Sequence, residues 1–178
     1  MIHDRGTFEN SYTGQPPWDI GRPQKPFVAA ADHIRGSVLD AGCGTGETAL
    51  FFAERGVRVA FLVKDATTLS GWNERFDNVI DSGLFHCFND EDRLRYVKGL
   101  ATVLKPGGRL FLMCFSDEEP GDQGPRRVPK QELHDAFAQG WSIESIAPAR
   151  AEVRPDFKDA QFSEGGPKVR FVVVRRAE

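Results

Sequence analysis

Short runs of apolar residues alternate along the chain with segments in which apolar positions recur every three or four residues. The short runs predict buried strands, and the periodic segments predict amphipathic helices. Because strands and helices alternate, the pattern favours an α/β fold with a mostly parallel, doubly wound sheet and an antiparallel pair of strands at one edge. The predicted strands cover 37–42, 57–65, 76–83, 108–116, 141–149 and 169–176, and the predicted helices cover 25–35, 46–56, 90–104 and 129–140.

The first 26 residues follow neither pattern. They are rich in glycine, proline and aromatic residues, which argues against a regular helix or strand. Tyr12 and Trp18 nevertheless belong to a set of large rings that is too numerous for a solvated tail. We therefore expect residues 1–26 to form an aromatic lid that packs over a core at 37–178, with the whole chain making one domain.

Composition narrows the choice of partners. The 178 residues are 40% hydrophobic and 28% charged, which is typical of a globular protein with a buried core. A net charge of −3 provides no basic surface for a phosphate backbone, so nucleic acid is not an expected partner. No signal peptide is evident, and no apolar run approaches the ~20 residues of a membrane span. Three cysteines without a C-x-x-C pair predict neither a metal site nor a disulfide, and they favour a reducing cytoplasm.

A glycine-rich turn, DAGCGTG at 40–46, joins the first predicted strand to the helix that follows it. Gly42 and Gly44 lack a β-carbon, so a ligand can approach the backbone, and the helix start offers unpaired N–H groups. In an open α/β sheet, ligands bind outside the carboxyl ends of the strands, where this turn lies. The turn predicts a nucleotide-type cofactor, although it has neither the dinucleotide G-x-G-x-x-G spacing nor the lysine of a phosphate loop.

The stretch VLDAGCGTGETALFFAERG, which contains this turn, resembles motif I of the class I S-adenosylmethionine-dependent methyltransferases. FDNVIDSGLFHCF resembles the fourth-strand motif beside the transferred methyl group, and LATVLKPGGRLFLMCFSD resembles the helix, turn and fifth strand that come next. Near the amino terminus, PPWDIGRPQ resembles the opening of the thiopurine, thiol and halide methyltransferase branch. The resemblance implies a Rossmann-like methyltransferase fold, S-adenosylmethionine as the cofactor and methyl transfer as the activity.

The resemblance also implies roles for residues at the cofactor. The glycines and the adjoining backbone would hold the methionine part, and Asp40 would orient the turn or reach the amino group. Asp65 would accept a hydrogen bond from the adenine amino group, and Ala66 would meet the edge of the ring. Asp81 would lie next to the methionine ammonium and the reacting centre. The implied cofactor residues are Asp40, Ala41, Gly42, Cys43, Gly44, Gly46, Asp65, Ala66 and Asp81.

One part of the family pattern is missing. Members carry a carboxylate at the end of the second strand, about 20 residues past the glycines, and then a helix and a third strand. Here 57–65 reads as the second and third strands fused, so one strand and one helix are absent and six strands are expected. In one account, which the right-handed crossover rule favours, the fused strand takes the second position and Asp65 clamps the ribose. In another, Asp65 keeps its adenine role and the ribose lacks a carboxylate, and in a third the deletion severely impairs binding.

The acceptor side of the site is expected around His86, which lies just past the fourth-strand motif and faces the implied methyl position. His86 would take a proton from the acceptor or hydrogen-bond to it, and the alternative is a histidine packed to support the loop. Tyr12 and Trp18 would close the pocket over a sulfonium cation, or would simply pack the amino-terminal segment. The expected substrate-side residues are Tyr12, Trp18, Phe85, Phe115 and Arg126.

Methyl transfer from a sulfonium needs alignment and exclusion of water more than acid–base help, and a thiol ionises readily. We therefore expect transfer to a small molecule, with a thiol or similar soft nucleophile favoured. The alternatives are O- or N-methylation of a small metabolite, and a truncated methyltransferase scaffold that binds the cofactor weakly or not at all and acts by protein association. The altered sheet edge leaves open a monomer or a homodimer.

Overall fold

The computed structural model describes residues 6, 10–157 and 161–178. Within them, five strands form one sheet with helices packed on both of its faces. None of the described helices combines the length and the apolar character that crossing a bilayer requires. The strands are β1 (Val38–Asp40), β2 (Phe76–Ser82), β3 (Leu104–Phe115), β4 (Trp141–Arg150) and β5 (Lys168–Arg176), and the helices used below are α1 (Lys25–Ala29), α2 (Glu47–Ala53), α3 (Asp90–Val103) and α4 (Lys130–Ala136).

The order of the strands across the sheet is β1-β2-β3-β5-β4. β1, β2 and β3 run parallel, whereas β5 runs antiparallel to both β3 and β4. This confirms the predicted mostly parallel sheet with an antiparallel pair at one edge. The register pairs Asp40 with Ile80 and Asp81 with Leu112, so the carboxyl ends of the three parallel strands meet at one end of the sheet. The residues that follow these strands are therefore brought together there.

The side chains of β3 alternate between the two faces of the sheet, because successive residues in a strand point to opposite sides. On one face they pack against α3 and α4, and on the other they pack against α1 and α2. Asn89 caps α3 by accepting a hydrogen bond from the backbone N–H of Asp92 at 2.8 Å, which fixes where this helix begins. The first face takes Leu110, Leu112 and Cys114, and the second takes Phe111, Met113 and Phe115.

The prediction that 57–65 forms a buried strand is wrong. The segment has no ladder partner among the described residues, and Val63 is fully exposed. Val57 packs into the core under α1 and α2, whereas Ala66 packs into the core under α3 on the opposite face. The chain therefore passes from one face of the sheet to the other within these nine residues, and we call 57–65 the crossing segment.

Two consequences follow for the expected architecture. The described sheet has five strands rather than six, and β1 is its edge on this side. The fused segment therefore does not take the second position in the sheet, and Asp65 caps a turn after it rather than ending a sheet strand. The ribose contact of Asp65 stays a prediction.

The described part of the amino-terminal segment is fastened to the chain between β4 and β5. The Gln24 amide exchanges two hydrogen bonds with the backbone of Glu152, at 2.9 and 2.7 Å. Arg22 forms an ion pair with the Glu152 carboxylate at 2.9 Å. Phe27 of α1 is fully buried and meets the ring of Phe171 edge to face at 5.3 Å. These contacts hold the segment that carries Tyr12 and Trp18 against the sheet.

Candidate functional site

The glycine turn lies between β1 and α2, and aromatic side chains from two other segments contact it. A β-carbon on Gly44 would come within 2.7 Å of the Tyr12 hydroxyl, and one on Gly46 would come within 2.5 Å of the Phe61 ring. Both glycines have positive φ angles, of 56° and 92°, which side chains rarely adopt. Glycine is therefore required at these positions both by the turn and by its aromatic neighbours.

Asp40, at the end of β1, carries a buried acceptor atom that the described residues leave unused. Its Oδ2 is inaccessible to solvent and has no hydrogen-bond partner there. Burial raises the pKa of Asp40 from 3.8 to about 7, with a further contribution from the charge of Asp81 and an opposing one from the N–H of Ala49. An orphaned buried carboxylate oxygen is costly unless a donor reaches it. Beside a glycine turn, this atom fits a ligand that brings a cationic N–H donor, as an ammonium does.

The rest of the turn is held by backbone hydrogen bonds. The N–H of Ala41 donates to the carbonyl of Ile80 at 2.9 Å, and the N–H of Gly46 donates to the carbonyl of Cys43 at 2.9 Å. The Cys43 thiol is partly exposed, and burial followed by the nearby Asp40 raises its pKa. Cys43 is therefore mainly a thiol at neutral pH rather than a reactive thiolate.

Asp81 is fully buried at the end of β2, and its carboxylate is saturated by groups of the protein itself. Its Oδ1 accepts from the N–H of Leu84 at 2.7 Å, and its Oδ2 accepts from the N–H of Phe85 at 3.0 Å and from the Tyr96 hydroxyl at 2.9 Å. Burial raises the pKa of Asp81 to about 6 despite these donors. The described contacts make Asp81 the anchor of the loop after β2, and its contact with a cofactor ammonium stays a prediction.

We expect Tyr96→Phe to lower the free energy of unfolding by about 1.5–3 kcal/mol, because it removes one donor from a buried carboxylate. The midpoint of urea unfolding measures this change. The chain's other tyrosine supplies the control. Tyr12 is 41% exposed, so Tyr12→Phe is expected to change stability by less than about 0.5 kcal/mol. Equal effects of the two substitutions would contradict the anchoring role.

His86 lies in the short helical turn after β2, where it is buried. Its Nδ1 accepts a hydrogen bond from the backbone N–H of Phe115 at 3.0 Å. A neutral imidazole with Nδ1 as the acceptor carries its proton on Nε2. The Phe115 ring meets the imidazole edge to face at 5.3 Å, which fixes the ring plane as well. The turn and β3 thus set both the orientation and the tautomer of His86.

The expected substrate-side residues are not gathered into one pocket wall. Phe85 is fully buried and stacks on Phe137 at 5.9 Å, so it belongs to the core. Arg126 forms an ion pair with Glu132, which satisfies its charge within the protein. Phe115 has a second ring neighbour besides the imidazole, because Phe162 lies 5.9 Å from it.

Tyr12 and Trp18 lie together over the glycine turn. Their rings meet edge to face at 6.4 Å, and Trp18 Nε1 donates to the Tyr12 hydroxyl at 3.3 Å. Both rings remain about two-fifths exposed, at 41% and 42%. The Tyr12 hydroxyl lies against Gly44, and the role of this segment as a lid stays a prediction.

Asp65 and Ala66 begin the turn that follows the crossing segment. Asp65 Oδ1 accepts from both the N–H and the hydroxyl of Thr67, at 2.8 and 2.7 Å. This makes Asp65 the cap of its own turn, and Ala66 packs against the core below α3. Adenine and ribose contacts for these two residues stay predictions.

Sequence reasoning missed the structural roles of several residues that shape this region, including Arg127, which it considered only as a contact for an acidic substrate. The role of Tyr96 could not be read from the sequence, because its partner Asp81 is 15 positions away in the chain. Arg127 organises the glycine- and proline-rich loop after β3 by donating to its carbonyl oxygens, including that of Glu119 at 3.1 Å. A basic residue embedded in such a loop was the only available signal. Phe61 was assigned to a buried strand, so its contact with the glycine turn was not foreseen.

Comparison with known proteins places these observations in a family. The model of the thiopurine S-methyltransferase (TPMT) family matches residues 61–171. The chain is 31% identical to the 2-heptyl-1-hydroxyquinolin-4(1H)-one methyltransferase of Mycobacteroides abscessus, over 94% of this chain and 88% of that protein. It is 28% identical to the probable thiol methyltransferase 2 of Arabidopsis thaliana, over 84% of this chain and 80% of that protein.

A solved structure shares both fold and sequence with this chain. It comes from work on the conversion of a disulfide bond into a thioacetal group during echinomycin biosynthesis. The identity is 32%, the TM-score is 0.80, and the match covers 98% of this chain and 93% of the other.

The alignment with the Mycobacteroides protein is longer than this chain. It extends over 205 residues, whereas this chain has 178. At least 27 aligned positions therefore have no residue in this chain. The relative therefore carries residues that this chain lacks.

Proposed function

Because the chain belongs to the thiopurine S-methyltransferase family and is an S-adenosylmethionine-dependent methyltransferase, we propose that it methylates a thiol, or a similarly soft nucleophilic atom, of a small molecule. Family membership favours this enzyme over the scaffold without activity. Sulfur also recurs among the proteins that the chain resembles, in the name of the family, in the probable thiol methyltransferase and in the disulfide-to-thioacetal conversion.

The residues present fit the amino-acid end of the cofactor. The unused Oδ2 of Asp40 suits the methionine ammonium, and it lies beside a glycine turn that Tyr12 and Phe61 contact. When bound, S-adenosylmethionine supplies an electrophilic methyl group on a sulfonium. We assign Asp40 to the ammonium, the backbone of 41–46 to the methionine part, and Tyr12 to the cover above Gly44.

At the ribose and adenine end, the crossing segment replaces the usual second strand. Asp65 uses only Oδ1 in its own turn, so Oδ2 remains for a ribose or adenine donor. One free carboxylate oxygen binds a ribose or adenine donor less well than the two oxygens of a strand-end carboxylate do. We therefore expect binding to depend more on Asp40 than on Asp65.

The observation that carries the choice of acceptor is the state of His86. Its Nδ1 lone pair is engaged by the N–H of Phe115, so the neutral ring presents an N–H rather than a base at Nε2. A hydroxyl acceptor needs its proton removed near the transition state, and a general base contributes roughly 10²–10⁴-fold. A thiol with a pKa near 8.5 ionises in water before it binds. The site is therefore better suited to a thiolate than to an alcohol.

A second candidate is methylation at oxygen or nitrogen of a heteroaromatic small molecule. The Mycobacteroides relative, by its name, acts on a hydroxyquinolinone. An acidic N-hydroxyl or phenol shares with a thiol the ability to ionise without a protein base. The candidates are separated by acceptors that differ in one atom.

Thiophenol, phenol and aniline provide such a set, with labelled methyl transfer as the readout. We expect thiophenol to show the highest kcat/KM, with a pH profile that follows ionisation of the thiol. Preference for phenol or aniline would favour the second candidate. Transfer to none of the three, together with calorimetric binding of S-adenosylhomocysteine, would remove the soft-nucleophile proposal and leave the family assignment intact.

The role of His86 has its own test. Asn places its Oδ1 where His places Nδ1, so His86→Asn keeps an acceptor for the N–H of Phe115. We expect it to lower kcat/KM for a thiol by less than about tenfold and to leave the pH profile unchanged, because no base is removed. His86→Leu is the comparison variant, since it leaves the Phe115 N–H unpaired and costs about 1–3 kcal/mol of stability. A loss of about 10³-fold in His86→Asn with a folded protein would make His86 the base.

A further inference from the structure

A basic cavity of about 220 Å³ lies away from the glycine turn, between the start of α4 and the hairpin of β4 and β5. Ser116, the residue after β3, forms one side of it. Ser116 follows β3, which is two positions from β1 in the strand order, so the near side of the cavity lies roughly 10 Å or more from the glycine turn at about 4.8 Å per strand. The cavity is therefore separate from the region assigned to the cofactor.

Four cationic side chains line the basic cavity, against one carboxylate, that of Glu118. Of the four, only Arg170 has an ion pair within the described part of the chain, with Asp117 at 2.6 Å and with Glu118 at 3.2 Å. The other three cations have no carboxylate partner there, so the cavity holds an excess of positive charge. They are Lys130, Arg150 and Lys168.

Arg170 gives the basic cavity a fixed cation. It is only 3% exposed, and its guanidinium donates to the Ser116 hydroxyl and to the carbonyl of Val128. Its Nε–H has no acceptor among the described residues. A buried N–H of a charged group is costly without an acceptor, and this cost favours a ligand oxygen that improves the local pairing. Arg170 thus supplies a pre-ordered cation, and the more exposed lysines can bind the same ligand beside it.

The remaining wall is apolar, with Ile146, Pro148 and Val169 among its residues. The volume is below the roughly 300–1,000 Å³ of pockets for drug-sized ligands, so a small occupant is indicated. A small carboxylate with a short apolar body matches this combination of cations and apolar wall. A free oxyanion such as phosphate offers the same charged oxygens without the apolar body.

We propose that the basic cavity is a binding site for a small oxyanion, held by Lys130, Lys168 and Arg170. The site is independent of the proposed methyl transfer, since none of these residues is assigned to the cofactor or the acceptor. The oxyanion is either a free ion or a carboxylate carried by a small organic molecule. Both sources share the chemistry that the cations recognise, and they differ in their use of the apolar wall.

Calorimetric titration of the full chain with inorganic phosphate and with benzoate, at constant ionic strength, tests the proposal. We expect saturable binding of at least one anion. The double variant Lys130→Gln/Lys168→Gln, which leaves buried Arg170 in place, should weaken binding by about tenfold or more, because two charge-assisted contacts are lost. Tighter benzoate binding would indicate an organic carboxylate, and tighter phosphate binding would indicate a free ion.

The matched control is Arg75→Gln/Lys98→Gln, which removes two positive charges from exposed positions outside the cavity. It is expected to change anion affinity by no more than about twofold, since exposed charges at a distance are screened. Urea unfolding of both variants checks that the fold is kept. Equal weakening by the two double variants, unchanged binding in Lys130→Gln/Lys168→Gln, or no saturable binding by the unaltered chain would each overturn the site.

Discussion

Asp40→Asn is expected to weaken the binding of S-adenosylhomocysteine by about ten- to a hundredfold above pH 7, because it replaces an anion that faces the cofactor ammonium by a neutral amide. The orphaned Oδ2 and the raised pKa are the observations behind the contact proposed between Asp40 and the ammonium. Affinity in the unaltered chain should fall about tenfold per pH unit below the pKa of about 7, since the ammonium requires the ionised carboxylate. Calorimetry across pH 5.5–8.5 measures both effects, and the product is used so that no turnover occurs.

The same substitution is expected to stabilise the chain in the absence of cofactor. Folding raises the pKa of Asp40, so between pH 4 and about 7 the folded state holds a proton that the unfolded state has released. The free energy of unfolding therefore falls as pH rises through this window, and burial of Asp81 adds to the fall up to about pH 6. Asp40→Asn removes the Asp40 part, which is on the order of 4 kcal/mol at pH 8.

Asp32→Asn is the control for both measurements, because Asp32 is an exposed carboxylate outside the glycine turn. It should leave affinity and stability close to those of the unaltered chain. Weaker cofactor binding together with higher stability, seen in Asp40→Asn but not in Asp32→Asn, would mark Asp40 as a residue that lowers stability in order to bind the ligand. Unchanged affinity, or reduced stability at pH 8, would show that Asp40 serves only to support the turn.

Phe27→Ala is expected to lower the free energy of unfolding by about 3–5 kcal/mol, because it empties a fully buried position between α1 and β5. A loss of this size is a large fraction of the roughly 5–15 kcal/mol that stabilises an ordinary domain. Urea unfolding followed by circular dichroism measures it.

The neighbouring residue provides the control for Phe27. Val28 belongs to the same helix but is 42% exposed, so Val28→Ala is expected to cost less than about 1 kcal/mol. Phe27→Ala should also expose the Trp18 ring further, since α1 fastens the segment that carries the lid. Similar losses in both variants would mean that α1 is not held by its buried ring.

Sequence reasoning succeeded where the signal is local. The glycine turn, the parallel order of β1, β2 and β3, and the antiparallel pair at the edge each follow from short patterns of apolar residues and glycines. The sequence could not show that Asp81 is saturated by the protein's own donors while Asp40 keeps an unused oxygen. Both residues end a strand, and in the sequence both look equally available to a ligand. Tyr96 and the loop after β2 supply the donors that saturate Asp81, and those contacts exist only in the folded chain.

The crossing segment at 57–65 is a case in which a local signal in the sequence was misleading. Its apolar residues are those of a buried strand, so its composition favours the wrong structure. What decides its course is where the chain must go next, from the core under α2 to the core under α3 on the other face. Periodicity describes which side of an element is buried, and it contains no information about the path between two faces of a sheet.

The exposure of this segment is also expected to affect how readily the protein aggregates in concentrated solution. Val59 to Val63 reads VAFLV, a proline-free window of high β-propensity, and it lies beside the open edge of β1. Such windows from neighbouring molecules can stack into intermolecular sheets. Arg58 and Lys64 flank the window with positive charges that repel their counterparts on another copy. We therefore expect colloidal stability to depend on these two cations and to fall in salt that screens them.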